Sequence, residues 1–140
     1  MYLLVKYFLY VDVGIVAYNQ GAIEGCAVNN VNFSGINEIA GLAGHNASTG
    51  AITDCIVNNA DLTGGNGLGG LVGYNEGTIL NSQFNGLLSC VEDYYGAFTG
   101  YNSGTIENCT NSSEYEPIGR NTGSMLNCVG DGVVYDDINP

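Results

Sequence analysis

The chain has 140 residues, of which 45% are hydrophobic and 11% charged, and its formal net charge is -12. That apolar content excludes a disordered chain, and the excess of acidic residues makes nucleic acid and anionic membrane surfaces poor partners. The 22 glycines and the scarcity of good helix formers favour short β-strands joined by tight turns.

The first predicted element is an apolar strand over residues 1–12, interrupted only by Lys6 before it ends at Asp12. It is too short to span a membrane and lacks the cleavage site of a secretory signal. A strand that is apolar on both faces should be covered on both faces. We therefore predict that this segment contacts another subunit or is donated to it as a strand, through Leu3, Val5 and Phe8.

Residues 13–130 contain five copies of one motif. Two near copies are G-Y-N-E-G-T-I-L-N-S at 73–82 and G-Y-N-S-G-T-I-E-N-C at 100–109, and looser copies start at Ala17, Gly44 and Gly119. Repeats of this length are typical of solenoids, in which each unit buries its apolar face against its neighbours. We predict an all-β fold, a right-handed parallel β-helix or β-solenoid of about five short coils.

Alignment of the copies predicts columns of equivalent side chains. One asparagine per copy should lie at a corner, where its amide bonds nearby backbone and stacks into a ladder with its counterparts. The glycine that follows it should supply the dihedral angles of the turn. The asparagines are Asn19, Asn46, Asn75, Asn102 and Asn121, and the glycines are Gly21, Gly50, Gly77, Gly104 and Gly123.

Four of the five cysteines share one column, which indicates small core residues. The column holds Cys26, Cys55, Ser82, Cys109 and Cys128. No C-x-x-C pair occurs and there is one histidine, so zinc is not expected. Adjacent rungs about 4.8 Å apart lie within disulfide range. This spacing therefore allows disulfides between Cys26 and Cys55 and between Cys109 and Cys128. The parallel directions of the side chains favour free thiols instead.

Alternation along the strand that bears Leu71 predicts two outward columns. An apolar and aromatic stripe on the outside of a solenoid is typical of a contact surface. We therefore predict an interface that includes Tyr18, His45, Tyr74 and Tyr101. The first column is Val16, Ala43, Val72, Thr99 and Ile118, and the second is Tyr18, His45, Tyr74, Tyr101 and Arg120.

No catalytic constellation emerges from the sequence. The carboxylate pairs Glu92-Asp93 and Asp136-Asp137 lie outside the repeat, and His45 has no nucleophile identifiable by motif. Arg120 takes the place of an aromatic residue in its column. We expect no enzyme activity, no cofactor and no metal site, and residues 131–140 read as a solvated acidic tail.

The copies resemble the GLUG motif, named for a Gly-Leu-hydrophobic-Gly core. That core occurs as G-L-A-G at Gly41–Gly44 and as G-L-V-G at Gly70–Gly73, and each is followed by the Asn, the Gly and an Ile-x-x-Cys/Ser stretch. The resemblance covers roughly residues 13–130, although the fifth copy is shorter and has lost the leading Gly and Leu. It implies a repeat module of bacterial or archaeal surface proteins, including adhesin-like proteins, with no chemistry of its own.

These observations lead to two functional expectations. The first is a structural, non-enzymatic protein, extracellular or at the cell surface, that assembles with copies of itself into a filament or fibre through strand pairing and the aromatic stripe. The alternative is an adhesin-like binding module from a larger surface protein, whose tyrosine column recognises a glycan or a host protein. Neither involves nucleic acid or a membrane span.

Overall fold

The prediction of a β-solenoid is confirmed by a computed structural model, which describes residues 4–5, 14–130 and 132–138. These residues form twenty short strands and no helix. All strand pairs are parallel except the last one, and equivalent strands of successive repeats lie side by side. The five repeats make about four turns, because five stacked strands enclose four intervals.

The strands follow the repeats in chain order. β1 (Leu4–Val5) precedes the first coil, and each complete coil then contributes four strands. Their bounds in the first coil are β2 (Val16–Asn19), β3 (Ala22–Glu24), β4 (Ala27–Asn29) and β5 (Asn32–Ser34). The second coil has β6 (Ile39–Ala40), β7 (Ala43–Asn46), β8 (Ala51–Thr53) and β9 (Ile56–Gly64), and the third has β10 (Leu68–Gly69), β11 (Val72–Asn75), β12 (Thr78–Leu80) and β13 (Gln83–Cys90). The fourth has β14 (Tyr95–Gly96), β15 (Thr99–Asn102), β16 (Thr105–Glu107) and β17 (Thr110–Asn111), and the last has β18 (Ile118–Asn121), β19 (Ser124–Gly130) and β20 (Val133–Ile138).

Stacking of the coils produces three sheets. The five-stranded sheet runs β18-β15-β11-β7-β2, and the three-stranded sheet runs β14-β10-β6. The remaining strands form a twelve-stranded sheet that bends around the rest of the solenoid. Asn75 pairs with Asn46 on one side and with Asn102 on the other, so the alignment of the repeats equals the strand register.

The core is a stack of aliphatic and aromatic columns. Ile52, Ile79 and Ile106, which pair with one another in successive coils, have no exposed surface. Phe33, Phe84 and Phe98 fill the wider parts of the coils. Burial of such side chains contributes about 1.5–3 kcal/mol each.

Each coil bends at one residue in the left-handed conformation, directly before the cysteine column. This position holds Gly25, Asp54, Asn81, Asn108 and Asn127, with φ between 52° and 60°. Gly, Asn and Asp are the residues that adopt this conformation at least cost. This corner between the short strands is therefore made by residue types that the sequence displays at equivalent positions of the repeat.

The two ends of the solenoid differ from the predicted picture. β1 pairs in parallel with β5 of the same chain, whereas the sequence predicted that residues 1–12 serve another subunit. At the other end, residues read as an acidic tail form β20, which pairs antiparallel with β19. The β-branched residues Val133 and Val134 favour a strand there. β20 therefore occupies the outer edge of β19 in the last coil.

Candidate interaction surface

The asparagine column forms a continuous hydrogen-bonded ladder. The Nδ2 of each asparagine donates to the Oδ1 of the next, and all four links measure 2.8 Å. Within its own turn, Asn75 Nδ2 also donates to the Gly77 carbonyl at 3.2 Å. Asn46 and Asn75 have no exposed surface. Buried amides with their partners in place hold successive coils in register.

In every coil but the first, the glycine that follows the asparagine is required for space and not for its dihedral angles, which corrects the prediction. None of these glycines has a positive φ in the part of the chain that the structure describes. A Cβ on Gly77 would instead meet the Gly50 carbonyl and, at 2.5 Å, the Ala47 carbonyl oxygen. The turn backbones stack too closely for any side chain beneath the ladder.

The cysteine column lies inside the solenoid in all coils but the first. Cys55, Ser82, Cys109 and Cys128 are buried, and Cys26 is exposed at the end of the stack. All five cysteines of the chain are free thiols. A thiol or hydroxyl in this column donates to the carbonyl two residues earlier, as at Ser82 to Leu80 (2.9 Å). The left-handed corner residue lies between the two, so the column favours a small side chain with a proton to donate.

Burial changes the acidity of these thiols. Desolvation raises the pKa of Cys55. The side chains of Cys109 and Cys128 share a hydrogen bond, which is the main cause that raises the pKa of Cys109 and lowers that of Cys128.

The first of the two columns predicted to face outward is buried in the three inner coils and partly buried at Val16 and Ile118, so the prediction that it faces outward is wrong for the inner coils. Ala43, Val72 and Thr99 have no exposed surface. The reason is that the three-stranded sheet packs directly on the five-stranded sheet, and a Cβ on Gly69 would meet the Val72 carbonyl. Thr99 Oγ1 is the buried side-chain polar atom without a hydrogen-bond partner among the described residues.

The second column lies at the surface as a stack of rings, which we call the aromatic column: Tyr18, His45, Tyr74, Tyr101 and, at its end, Arg120. Adjacent ring centroids are 4.9 Å apart from Tyr18 to His45, 4.9 Å from His45 to Tyr74 and 5.6 Å from Tyr74 to Tyr101. The ring planes are tilted by 31° to 38°. Such offset contacts stabilise aromatic pairs beyond the area that they bury.

Two carboxylates flank the histidine of the aromatic column. His45 Nδ1 lies 3.1 Å from Glu38 Oε2, and His45 Nε2 lies 2.6 Å from Glu76 Oε1. Glu38 directly precedes β6 in the second coil, and Glu76 directly follows β11 in the third coil. The imidazole therefore links two coils and differs from the tyrosines of its column by this polar function.

Arg120 closes the aromatic column at the last coil. Its guanidinium carbon lies 5.7 Å from the ring centroids of both Tyr94 and Tyr101. Its hydrogen bond with Tyr101 raises the pKa of Arg120, so the group is a permanent cation. Tyr94 has a φ of 66°, which is rare for a bulky residue. Its ring centroid lies 4.6 Å from that of Tyr101.

Because the rings stack on one another, their faces are occupied inside the aromatic column. His45, Tyr74 and Tyr101 each contact two other rings and are partly buried. Tyr18 has a ring on one side only and is 50% exposed. A cleft of about 330 Å³ runs beside the aromatic column and is lined by Asn37, Glu38, Asn66, Gly67, Tyr74 and Tyr101.

A second cleft, of about 430 Å³, lies where the fourth coil is shortened, between Asn111–Glu116 and Tyr135. Its shape is fixed by local hydrogen bonds, including Asn111 Nδ2 to the Tyr115 carbonyl at 2.7 Å. Most of its lining residues are polar and several are exposed.

The residues considered for chemistry lie apart. Glu92 and Asp93 are exposed in the loop after β13, and Asp136 accepts a hydrogen bond from the backbone N–H of Asn127 at 2.6 Å. Among the described residues there is no group of three potential metal ligands. Within the same residues, no helix is long and apolar enough to cross a membrane. Of the predicted interface residues, Leu3 and Phe8 lie outside the described residues, and Val5 lies in β1.

No family model, no curated protein and no solved structure matches this chain. The resemblance to GLUG repeats therefore depends on the motif residues alone and stays a prediction. Function has to be argued from the surface of the solenoid itself.

Proposed function

We propose that this chain is a structural, non-enzymatic protein that assembles with copies of itself at the cell surface or outside the cell. One observation carries the proposal. Both outer strands of the five-stranded sheet, β2 and β18, lack a further neighbour in the part of the chain that the structure describes. Unpaired parallel edges recruit further strands.

The two edges are complementary because they belong to the same repeat. β18 pairs with β15 in the same register in which β2 pairs with β7. A second copy placed one rung beyond β18 would present β2 in that register. The contact joins two different surfaces of the chain, so it can continue as a filament.

The state of the core at the first coil supports the same proposal. Ile15 is 39% exposed, whereas its counterparts Leu42, Leu71 and Phe98 are buried. Cys26 is exposed and its counterpart Cys55 is buried. Stacking on another coil would bury these side chains as the repeats bury theirs.

Sedimentation velocity over a concentration series, followed by electron microscopy, tests this proposal. We expect association that grows with concentration, and elongated particles. The variant Ala17→Pro should reduce it, because Ala17 alternates with Val16 and Tyr18, which pair with β7, and so directs its N–H to the unpaired edge. A chain that stays monomeric when concentrated would contradict the proposal.

A second candidate is a binding module that recognises a glycan or a host protein. The cleft beside the aromatic column favours it, since Asn37, Asn66 and Glu38 offer polar groups next to the edges of Tyr74 and Tyr101. The occupied ring faces weigh against sugar stacking within the column. A glycan array probed with the wild-type chain and with Tyr74→Ala tests this candidate, and equal signals from the two would contradict it.

A further inference from the structure

We propose that Arg120 of one copy stacks on the exposed ring of Tyr18 in the next copy, so that the aromatic column continues across the junction. This inference depends on the proposed self-assembly and specifies one side-chain contact between the two copies. It commits to a second copy of this chain as the occupant of the exposed face of Tyr18.

The aromatic column has two unlike and complementary ends. At β2 it ends in an electron-rich ring, Tyr18, which contacts His45 on one side. At β18 it ends in the cation Arg120, which is exposed. A guanidinium within about 6 Å of a tyrosine ring is attracted by the negative face of the ring. The geometry between Arg120 and Tyr101, 5.7 Å apart, already shows this contact inside the chain.

The register of the sheet places these two ends opposite each other. In successive rungs Tyr18 pairs with His45, His45 with Tyr74, Tyr74 with Tyr101, and Tyr101 with Arg120. One more rung, about 4.8 Å further, would set Tyr18 of the next copy against Arg120. The guanidinium, which already contacts Tyr94 and Tyr101 of its own copy, would then also contact Tyr18 of the next copy.

The same step continues the column of asparagines across the junction. It would bring Asn19 of the next copy opposite Asn121. Asn102 Oδ1 accepts both from Asn75 Nδ2 and from the Gly104 N–H, whereas Asn19 Oδ1 accepts only from the Gly21 N–H within the described chain. The Asn19 oxygen therefore has room for one more donor at the junction.

Electrostatics also favour a contact through Arg120. Two copies with a net charge of -12 each repel one another. Arg120 is one of two basic residues in the chain, and it lies at the edge that faces the next copy. A cation at this position offsets part of the repulsion where the two copies meet.

The junction requires β20 to leave β19. β20 occupies the place in the twelve-stranded sheet that β3 of the next copy would take. Release of β20 would uncover Met125 and Cys128, and the incoming coil would cover them with Ile23 and Cys26, their counterparts in the repeat. β20 thus caps the last coil in the single chain. When it leaves, burial of Met125 and Cys128 under the incoming coil offsets the loss of its contacts.

The full-length chain, Arg120→Gln, Tyr18→Ala and an equimolar mixture of the two variants are compared by sedimentation velocity. Each variant alone should associate about 5- to 30-fold more weakly than wild type, the range expected for one cation–π contact. The mixture should form mixed dimers with wild-type affinity, because it offers one intact pair of ends per two copies, and further growth from these dimers should be weaker than for wild type, since it joins the two altered ends. Leu87→Ala, which removes an exposed side chain from the side wall, serves as the matched control.

The outcomes separate this contact from the proposed function. If wild type associates and both single variants associate equally well, or if the mixture associates no more tightly than either variant alone, the Arg120–Tyr18 contact is overturned and self-assembly stands. If wild type stays monomeric at every concentration, both are overturned. Because Arg120 is exposed and Tyr18 is half exposed, both variants should keep the far-ultraviolet circular dichroism of wild type, and Arg120→Lys, which keeps the charge, should lose less affinity.

Discussion

Replacement of Asn75 by alanine tests whether the asparagine ladder holds the solenoid together. The substitution removes the hydrogen bonds to Asn102 Oδ1 (2.8 Å) and to the Gly77 carbonyl (3.2 Å), and the bond received from Asn46 Nδ2 (2.8 Å). At about 1 kcal/mol net for each bond, the direct loss is about 3 kcal/mol.

The partners left behind add to that loss. Asn46 Nδ2 keeps contacts of 3.4 Å to the Gly50 and Thr78 carbonyls, and Asn102 Oδ1 keeps the Gly104 N–H at 3.3 Å. These bonds are long, and both side chains are buried. We therefore expect Asn75→Ala to lower the free energy of unfolding by about 3–5 kcal/mol.

Urea unfolding monitored by circular dichroism at 25 °C measures this value, with two comparisons. Asn19→Ala, at the end of the ladder, has one link to another coil instead of two, so we expect a loss of about 1–2 kcal/mol. Asn85→Ala, which is exposed and makes one contact of 3.4 Å, should change stability by less than about 0.5 kcal/mol. A loss at Asn75 no larger than at Asn85 would refute the role of the ladder.

Two further changes test the packing and the acidity of the interior. Gly77→Ala places a Cβ against the Gly50 carbonyl, so we expect a loss of about 1–3 kcal/mol, while Gly21→Ala, which has no atom within 4 Å, should be neutral or slightly stabilising in the same unfolding assay. Equal effects at the two glycines would contradict the steric explanation. Burial raises the pKa of Cys55 above its ordinary value of 9.0, so the unfolded chain loses this proton first and stability should fall as pH rises above about 9. Cys55→Ser should remove this part of the pH dependence, as measured by unfolding at several pH values; an unchanged pH profile would contradict it.

The repeat made the solenoid predictable because one alignment fixes the register of all coils at once. Asn75 could be placed opposite Asn46 and Asn102 from spacing alone, and the structure has these pairs. The left-handed corner residues could also have been found, since Gly25, Asp54 and Asn81 are of the types that adopt this conformation. Local residue type and periodicity carry this information.

What the sequence did not predict depends on contacts between elements. Strict alternation placed Val72 outside, but the two-residue strand β10 folds over the sheet there and buries it. The sequence analysis assigned the role of Gly77 to its dihedral angles. The actual reason is its close approach to the Gly50 carbonyl of the preceding coil, which depends on how the two coils stack and cannot be read from either segment alone. Alternation along one strand cannot show which other strand lies against it.

The ends of the solenoid were the hardest part to predict for the same reason. Inside the stack each coil has two like neighbours, so the repeat determines its environment, but an end coil has one neighbour and a different segment on its other side. β20 supplies that segment at the last coil, while Tyr18 and Ile15 stay exposed at the first. The exposure of Tyr18 and Ile15 is the feature of this end on which the proposed self-assembly depends. In the proposed assembly, β20 and the incoming coil would compete for the edge of β19, so a chain that ends before β20 should associate more tightly than the full-length chain in sedimentation velocity.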